Sequence, residues 1–139
     1  MKKLYIGCAL THLPKEKKVA FLQMIKNLKK ELGKTFEILE FLGGGDVSSA
    51  SPLEVYTHDI KNSVMKADCM LAICDHPSLG LGYEIATAVE KQGIPVLAVA
   101  HNDFFISRLI RGVDHKNFTF FHYNSEEEIV AKAIETLTR

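Results

Sequence analysis

Two stretches of this chain, residues 67–74 (ADCMLAIC) and 94–100 (IPVLAVA), are apolar almost throughout and do not alternate. A strand with one face in water alternates polar with apolar residues. A strand covered on both faces does not, and double cover is the condition of parallel strands in α/β proteins. Both runs are too short for an ordinary helix, and polar or turn residues bound them. Around them, short apolar segments alternate with helix-like ones. Residues 4–10 (LYIGCAL), 36–42 (FEILEFL) and 117–122 (NFTFFH) read as strands one, two and five. Helices are expected over 14–32, 53–66, 83–92 and 104–110, with a last one after Ser125. In the first, Phe21, Leu22, Ile25, Leu28 and Leu32 fall at helical spacing among lysines that form a solvated face. Ser125 with the three glutamates after it has capping-box character, and Ile129, Ala133, Ile134 and Leu137 share one face of the last helix. Strands alternating with helices at this spacing imply a doubly wound, five-stranded parallel sheet with helices on both faces, Rossmann-like in the broad sense. The flavodoxin-like order 2-1-3-4-5 is the first choice.

Length and charge narrow the function. A chain of 139 residues suits one domain, 1–139, able to bury a core without staples. Its 17 basic residues balance 17 acidic ones, so no net field would hold a nucleic acid polymer or an anionic membrane, and the expected partner is a small molecule. No apolar run reaches the roughly 18 residues of a membrane span, and residues 1–10 have too short an apolar core for a signal peptide, so a cytoplasmic protein is expected. Cys8, Cys69 and Cys74 fall in or at the ends of strands, where cysteine acts as a small hydrophobe, and no disulfide is expected. The six histidines lack ligand spacing, and neither a metal nor a cofactor is expected. Most are assigned to surface or loops.

In an open α/β sheet, ligands bind at the carboxyl ends of the strands. The third strand ends there in Asp75, His76, Pro77 and Ser78. Gly80 and Gly82 follow as a tight turn that allows close backbone approach, and Glu84 is placed in the first turn of the next helix, whose N–H groups suit an anion. An acid in a first helical turn can simply oppose the macrodipole. Ser78, two glycines, Tyr83 and a second acid, Asp59, converge on the same corner, which a cap does not require. Gly80-Leu81-Gly82 continues to Ile85 where a dinucleotide fingerprint needs its third glycine. Residues 43–52 form a glycine- and serine-rich loop without the P-loop ending, expected as a rim over the strand ends. Gly7, inside strand one, hints at a close approach to the backbone.

With these residues in place the chain resembles the nucleoside 2-deoxyribosyltransferase family, and within it the branch of 2'-deoxynucleoside 5'-phosphate N-hydrolases. The likeness is densest over Ala67-Asp68, the apolar strand, and residues 77–84 (PSLGLGYE). Leu4-Tyr5-Ile6-Gly7 and residues 107–112 (SRLIRG) extend it. The resemblance implies that Glu84 is a nucleophile at the anomeric carbon of a deoxyribosyl group and Asp59 its partner carboxylate. It implies that Tyr5 lies against the sugar and Glu84, that Ser78 and the donors near Gly80 and Gly82 hold a 5'-phosphate, and that Ser107 completes the site of a neighbour in a homodimer. Asp59 stands one residue further from Ala67-Asp68 than the family spacing, with Ile60 at the nominal position. Ala9 stands where the hydrolase branch has a phosphate-binding serine, and Thr11 or His12 replaces an arginine.

The residue types suit this chemistry independently. Cleaving an N-glycosidic bond passes through an oxocarbenium-like state, which one carboxylate can trap while a second acid protonates the departing base. The expected activity is hydrolysis of 2'-deoxynucleoside 5'-monophosphates to free base and 2-deoxyribose 5-phosphate. The alternatives are a deoxyribosyltransferase that exchanges bases on nucleosides and a nucleotide sensor without turnover.

Overall fold

The computed structural model describes residues 1–10, 13–39 and 49–139. Five strands, β1 (Lys3–Cys8), β2 (Glu37–Ile38), β3 (Cys69–Ile73), β4 (Val96–His101) and β5 (Phe118–Tyr123), form one all-parallel sheet in the order β2-β1-β3-β4-β5. This is the doubly wound order expected from the residue pattern. The helices are α1 (Lys15–Leu32), α2 (Pro52–Tyr56), α3 (Leu79–Ala86), α4 (Arg108–Arg111) and α5 (Glu126–Leu137). No helix among the described residues is long and apolar enough to cross a membrane.

Strand periodicity divides the interior into two cores. Leu4 and Ile6, Cys69, Leu71 and Ile73, and Leu97 and Val99 point to one face, where Phe21, Ile25, Leu28 and Leu32 of α1 and Ile129, Ala133 and Leu137 of α5 cover them. The intervening residues, Tyr5, Met70, Ala72, Val96 and Ala98, point to the other, against Ile60, Val64, Leu81, Ile85, Ala88 and Val89. Full burial of β3 on both faces explains why its sequence shows no alternation. Gly7 is buried against the second core. A Cβ there would lie 2.9 Å from Met70 Cε and 3.0 Å from Leu81 Cδ1, so what approaches this backbone is the chain's own packing.

Several local expectations are corrected. Strand two is described only over Glu37–Ile38, and the remainder of its expected run, 40–42, lies outside the described residues, as do 43–48 of the glycine loop and Thr11 and His12. The segment read as one helix over 53–66 is α2, then a π-helical turn at Thr57–Lys61, then a 3-10 turn at Val64–Lys66. Helix α3 starts at Leu79, four residues earlier than the glycines suggested. Ser78 Oγ accepts the Leu81 N–H at 3.2 Å, and this cap holds both glycines in helical backbone against their low helix propensity. The helix expected over 104–110 is reduced to α4, because Ser107 caps it only at Arg108 and Gly112 ends it. The five described histidines are all partly buried: His76 and His115 lie in loops, as expected, whereas His58, His101 and His122 belong to regular elements, and His76, His101 and His122 pack against aromatic rings.

Candidate active site

Glu84 owes its surroundings to the early start of α3. It lies in the second helical turn, beyond the reach of N-terminal capping, so the helix dipole does not account for it. Its side chain points under the helix toward the sheet, is 6% exposed, and meets Tyr5 from the centre of β1. The Tyr5 hydroxyl donates to the Glu84 carboxylate, 3.0 Å from each oxygen. Burial drives the Glu84 carboxyl up to about 8; the Tyr5 bond opposes the shift and the nearby charge of Asp59 adds to it. Burial and the facing carboxylate push the Tyr5 phenol well above its ordinary range, so it remains a donor.

Asp59 reaches the same place from the opposite wall. Helix α2 begins with a full capping box, Ser51 Oγ accepting from Glu54 N–H and Glu54 accepting from Ser51 N–H. The π-helical turn follows, widened by one residue relative to an α-helical turn, as single-residue insertions into helices are. It accommodates the one-residue offset noted in the sequence: Ile60 is buried in the second core while Asp59 faces a cavity shared with Glu84. Burial raises the Asp59 carboxyl to about 6, against the pull of His58. Its Oδ1 is buried with no hydrogen-bond partner among the described residues.

The cavity between these carboxylates measures about 400 Å³. Ala50, Pro52, Val55 and Ile60 make its wall, and Gly80 closes it from α3. Tyr56 and Tyr83 stand edge to face at its mouth with ring centres 6.5 Å apart. Tyr56 went unread in the sequence, although it precedes Asp59 by three residues and so shares its side of the helix.

Ser78, Gly82 and Ser107 do not line this cavity. They line a second one, about 760 Å³, on the other flank of the start of α3, with His76, Ala9, Leu79, Phe105, Ile106 and Leu109. Ser78 Oγ faces it while capping α3, and a Cβ on Gly82 would meet nothing within 4 Å. Ser107 occupies this cavity of its own chain. The sequence-predicted residues thus fall into a carboxylate group (Tyr5, Asp59, Glu84, with Gly80) and a hydroxyl group (Ser78, Gly82, Ser107), with Gly7 buried beneath α3. The carboxylate group can form or stabilise a bond at an electron-poor carbon and pass a proton. Hydroxyls beside the free N–H groups of a helix start suit an anion. Among the described residues no cluster of histidine, cysteine and acidic side chains could hold a metal ion.

No family model matches the chain. Two curated relatives do, both provisionally named 2'-deoxynucleoside 5'-phosphate N-hydrolase 1. One, from Thermofilum pendens, is 36% identical over 84 residues, 59% of this chain and 57% of that protein. The other, from Methanococcoides burtonii, is 34% identical over 68 residues, 49% of this chain and 54% of that protein. The chain therefore spans just over half the length of each. Among solved structures, a CMP N-glycosidase from Clostridium botulinum superposes with a TM-score of 0.70 at 22% identity, covering 94% of this chain and 96% of that one. A conserved protein from Enterococcus faecalis gives 0.61 at 19% identity over 99% and 98%. The chain resembles, in sequence, proteins named for hydrolysis of 2'-deoxynucleoside 5'-phosphates and, in fold, a CMP N-glycosidase.

Proposed function

We propose that this chain is an N-glycosidase that cleaves 2'-deoxynucleoside 5'-monophosphates into free base and 2-deoxyribose 5-phosphate, with Glu84 as nucleophile. The observation that carries this reading is the Tyr5–Glu84 pair buried beneath a cavity that Asp59 also lines. Glu84 attacks the anomeric carbon as the bond to the base breaks, Asp59 delivers a proton to the departing base, and water then releases the sugar from Glu84. Tyr5 steadies the carboxylate and its position. Gly80, without a side chain, leaves room where the helix meets the sugar.

Ser78, Gly82 and the start of α3 would take the 5'-phosphate on the flank away from the base. As a companion proposal, two copies pair and Ser107 of each serves the other's site. The exposed Leu79, Phe105 and Leu109, at 97%, 99% and 78% in the single chain, give such a pairing an apolar face. Mixing a Ser107→Ala protomer with a Glu84→Gln protomer should then restore activity that neither has alone. Unrescued mixtures that have exchanged subunits reject the sharing.

Incubation with the four common deoxynucleoside monophosphates, with and without free acceptor bases, tests the main reading. Free base with deoxyribose 5-phosphate is expected. New nucleosides would identify a base-exchanging transferase, and tight binding without products would identify a sensor.

A further inference from the structure

The two carboxylates of the cavity differ in what remains for a ligand. Both oxygens of Glu84 share the one hydrogen of the Tyr5 hydroxyl. Oδ1 of Asp59 is buried and accepts from nothing among the described residues. The walls around it, Ala50, Pro52, Val55 and Ile60, offer no side-chain donor, and the rings of Tyr56 and Tyr83 offer flat faces and edges at the mouth. A carboxyl oxygen that carries no proton, whether the group is ionised or protonated on its other oxygen, can only accept. A planar heterocycle entering past those rings would meet the Asp59 carboxylate, a turn of which about its terminal bond can present the orphaned Oδ1, and leaving that acceptor unpaired in a closed complex is costly.

Resting on the glycosidase reading above, we propose that Asp59 Oδ1 selects bases bearing an exocyclic amino group, cytosine over uracil and adenine over hypoxanthine. The amino hydrogen fills the orphan acceptor. A carbonyl at the same ring position would face it lone pair to lone pair. Each pair differs at that position in little but donor against acceptor, so shape contributes little to the choice. An enzyme site built around one hydrogen bond discriminates more sharply than one built around a methylene.

The test separates binding from turnover by working in the Glu84→Gln background at pH 8, above the value of about 6 to which burial brings Asp59. Calorimetric titration with dCMP, dUMP, dAMP and dIMP should give the amino member of each pair a Kd at least about tenfold lower. Adding Asp59→Asn, whose amide can turn its NH2 toward a carbonyl, should erase or invert that ratio. Thermal melting of both variants checks that each is folded. Binding of all four without preference, or a preference unchanged by Asp59→Asn, overturns this inference and leaves the glycosidase reading standing. Failure of folded Glu84→Gln protein to bind any of the four overturns both.

Discussion

Among the described residues two buried tyrosine–carboxylate pairs stand one on each face of the sheet, and they are built to different ends. On the face of α1 and α5, Tyr123 donates to Asp75 Oδ2 at 2.5 Å while the backbone N–H of His101 donates to Oδ1 at 3.1 Å. Both oxygens of Asp75 have separate donors. The rings of Phe21, His76, Phe104, His101 and Tyr123 form an edge-to-face arc around it, with centroids 5.1 to 6.2 Å apart. This pair pins the ends of β3, β4 and β5 and is sealed. On the other face, Tyr5 supplies both oxygens of Glu84 with a single hydrogen, and a second carboxylate shares the cavity above. A satisfied pair holds structure; an under-supplied pair beside a cavity retains free energy that a reaction can use.

The sharpest way to break this contrast is Glu84→Gln. Turnover should fall by at least about a thousandfold, as for loss of a covalent nucleophile. Stability should move the other way. A carboxyl held at about 8 when folded binds its proton more tightly than in the unfolded chain, so its stabilising contribution is present at low pH and is lost as pH rises from the ordinary carboxyl range through about 8. The glutamine variant should therefore melt above the wild type at pH 9 and close to it at pH 4. A lower melting temperature at pH 9 would mean that Glu84 is structural.

The tyrosines sharpen the comparison. Tyr123→Phe leaves a buried Asp75 oxygen without its donor and should cost about 1–3 kcal/mol of stability in denaturant melts, with kcat changed only a few-fold. Tyr5→Phe should do the reverse, lowering kcat/KM by about ten- to a hundredfold with the smaller stability loss. Equal stability losses without a difference in rate would erase the distinction.

The sheet was legible because strand burial leaves a direct mark on composition: β3 and β4 read as doubly covered, and the order followed from alternation with helices. Glu84, Asp59 and Tyr5 were legible only through residues near them and a family likeness. What stayed hidden depended on one hydrogen bond outweighing a propensity. Gly80 and Gly82 look like a turn, yet the Ser78 cap makes them helix and moves Glu84 from the first turn to the second. The π-helical turn around Asp59 is one residue of extra winding, which no periodicity over five residues reveals. Phe104, Phe105 and Ile106 have helical spacing but precede the Ser107 cap. The Asp75–Tyr123 pair joins residues 48 apart. It could be foreseen only from the register that sets Tyr123 opposite His101 on β5 and β4.

Acid–base behaviour offers a subtler probe. Glu84 at about 8 and Asp59 at about 6 describe a coupled pair that holds one proton between those limits. The proposed mechanism requires Glu84 ionised and Asp59 protonated, one of the two arrangements of that single proton. The rate kcat/KM should rise with pH through about 6 and fall beyond about 8, each limb approaching tenfold per pH unit. A plateau continuing above pH 9 would remove Asp59 from the proton transfer.

The smallest effect is expected on the hydroxyl side. Ser78→Ala should raise KM for monophosphates by about tenfold while leaving slow nucleoside cleavage unchanged, since a phosphate contact is lost and the carboxylates are untouched. Equal losses on both substrate types would assign Ser78 to capping α3 alone.

The central claim, that Glu84 forms a bond to the sugar, is tested most directly by the stereochemistry of the product. Deoxynucleoside monophosphates bear the base in the β configuration, and reaction in buffer containing methanol traps the sugar as a methyl glycoside that cannot interconvert. Two displacements, through Glu84 and then methanol, predict the methyl β-glycoside of 2-deoxyribose 5-phosphate in the proton NMR spectrum. The methyl α-glycoside would show that solvent attacks the anomeric carbon directly, and would contradict the account.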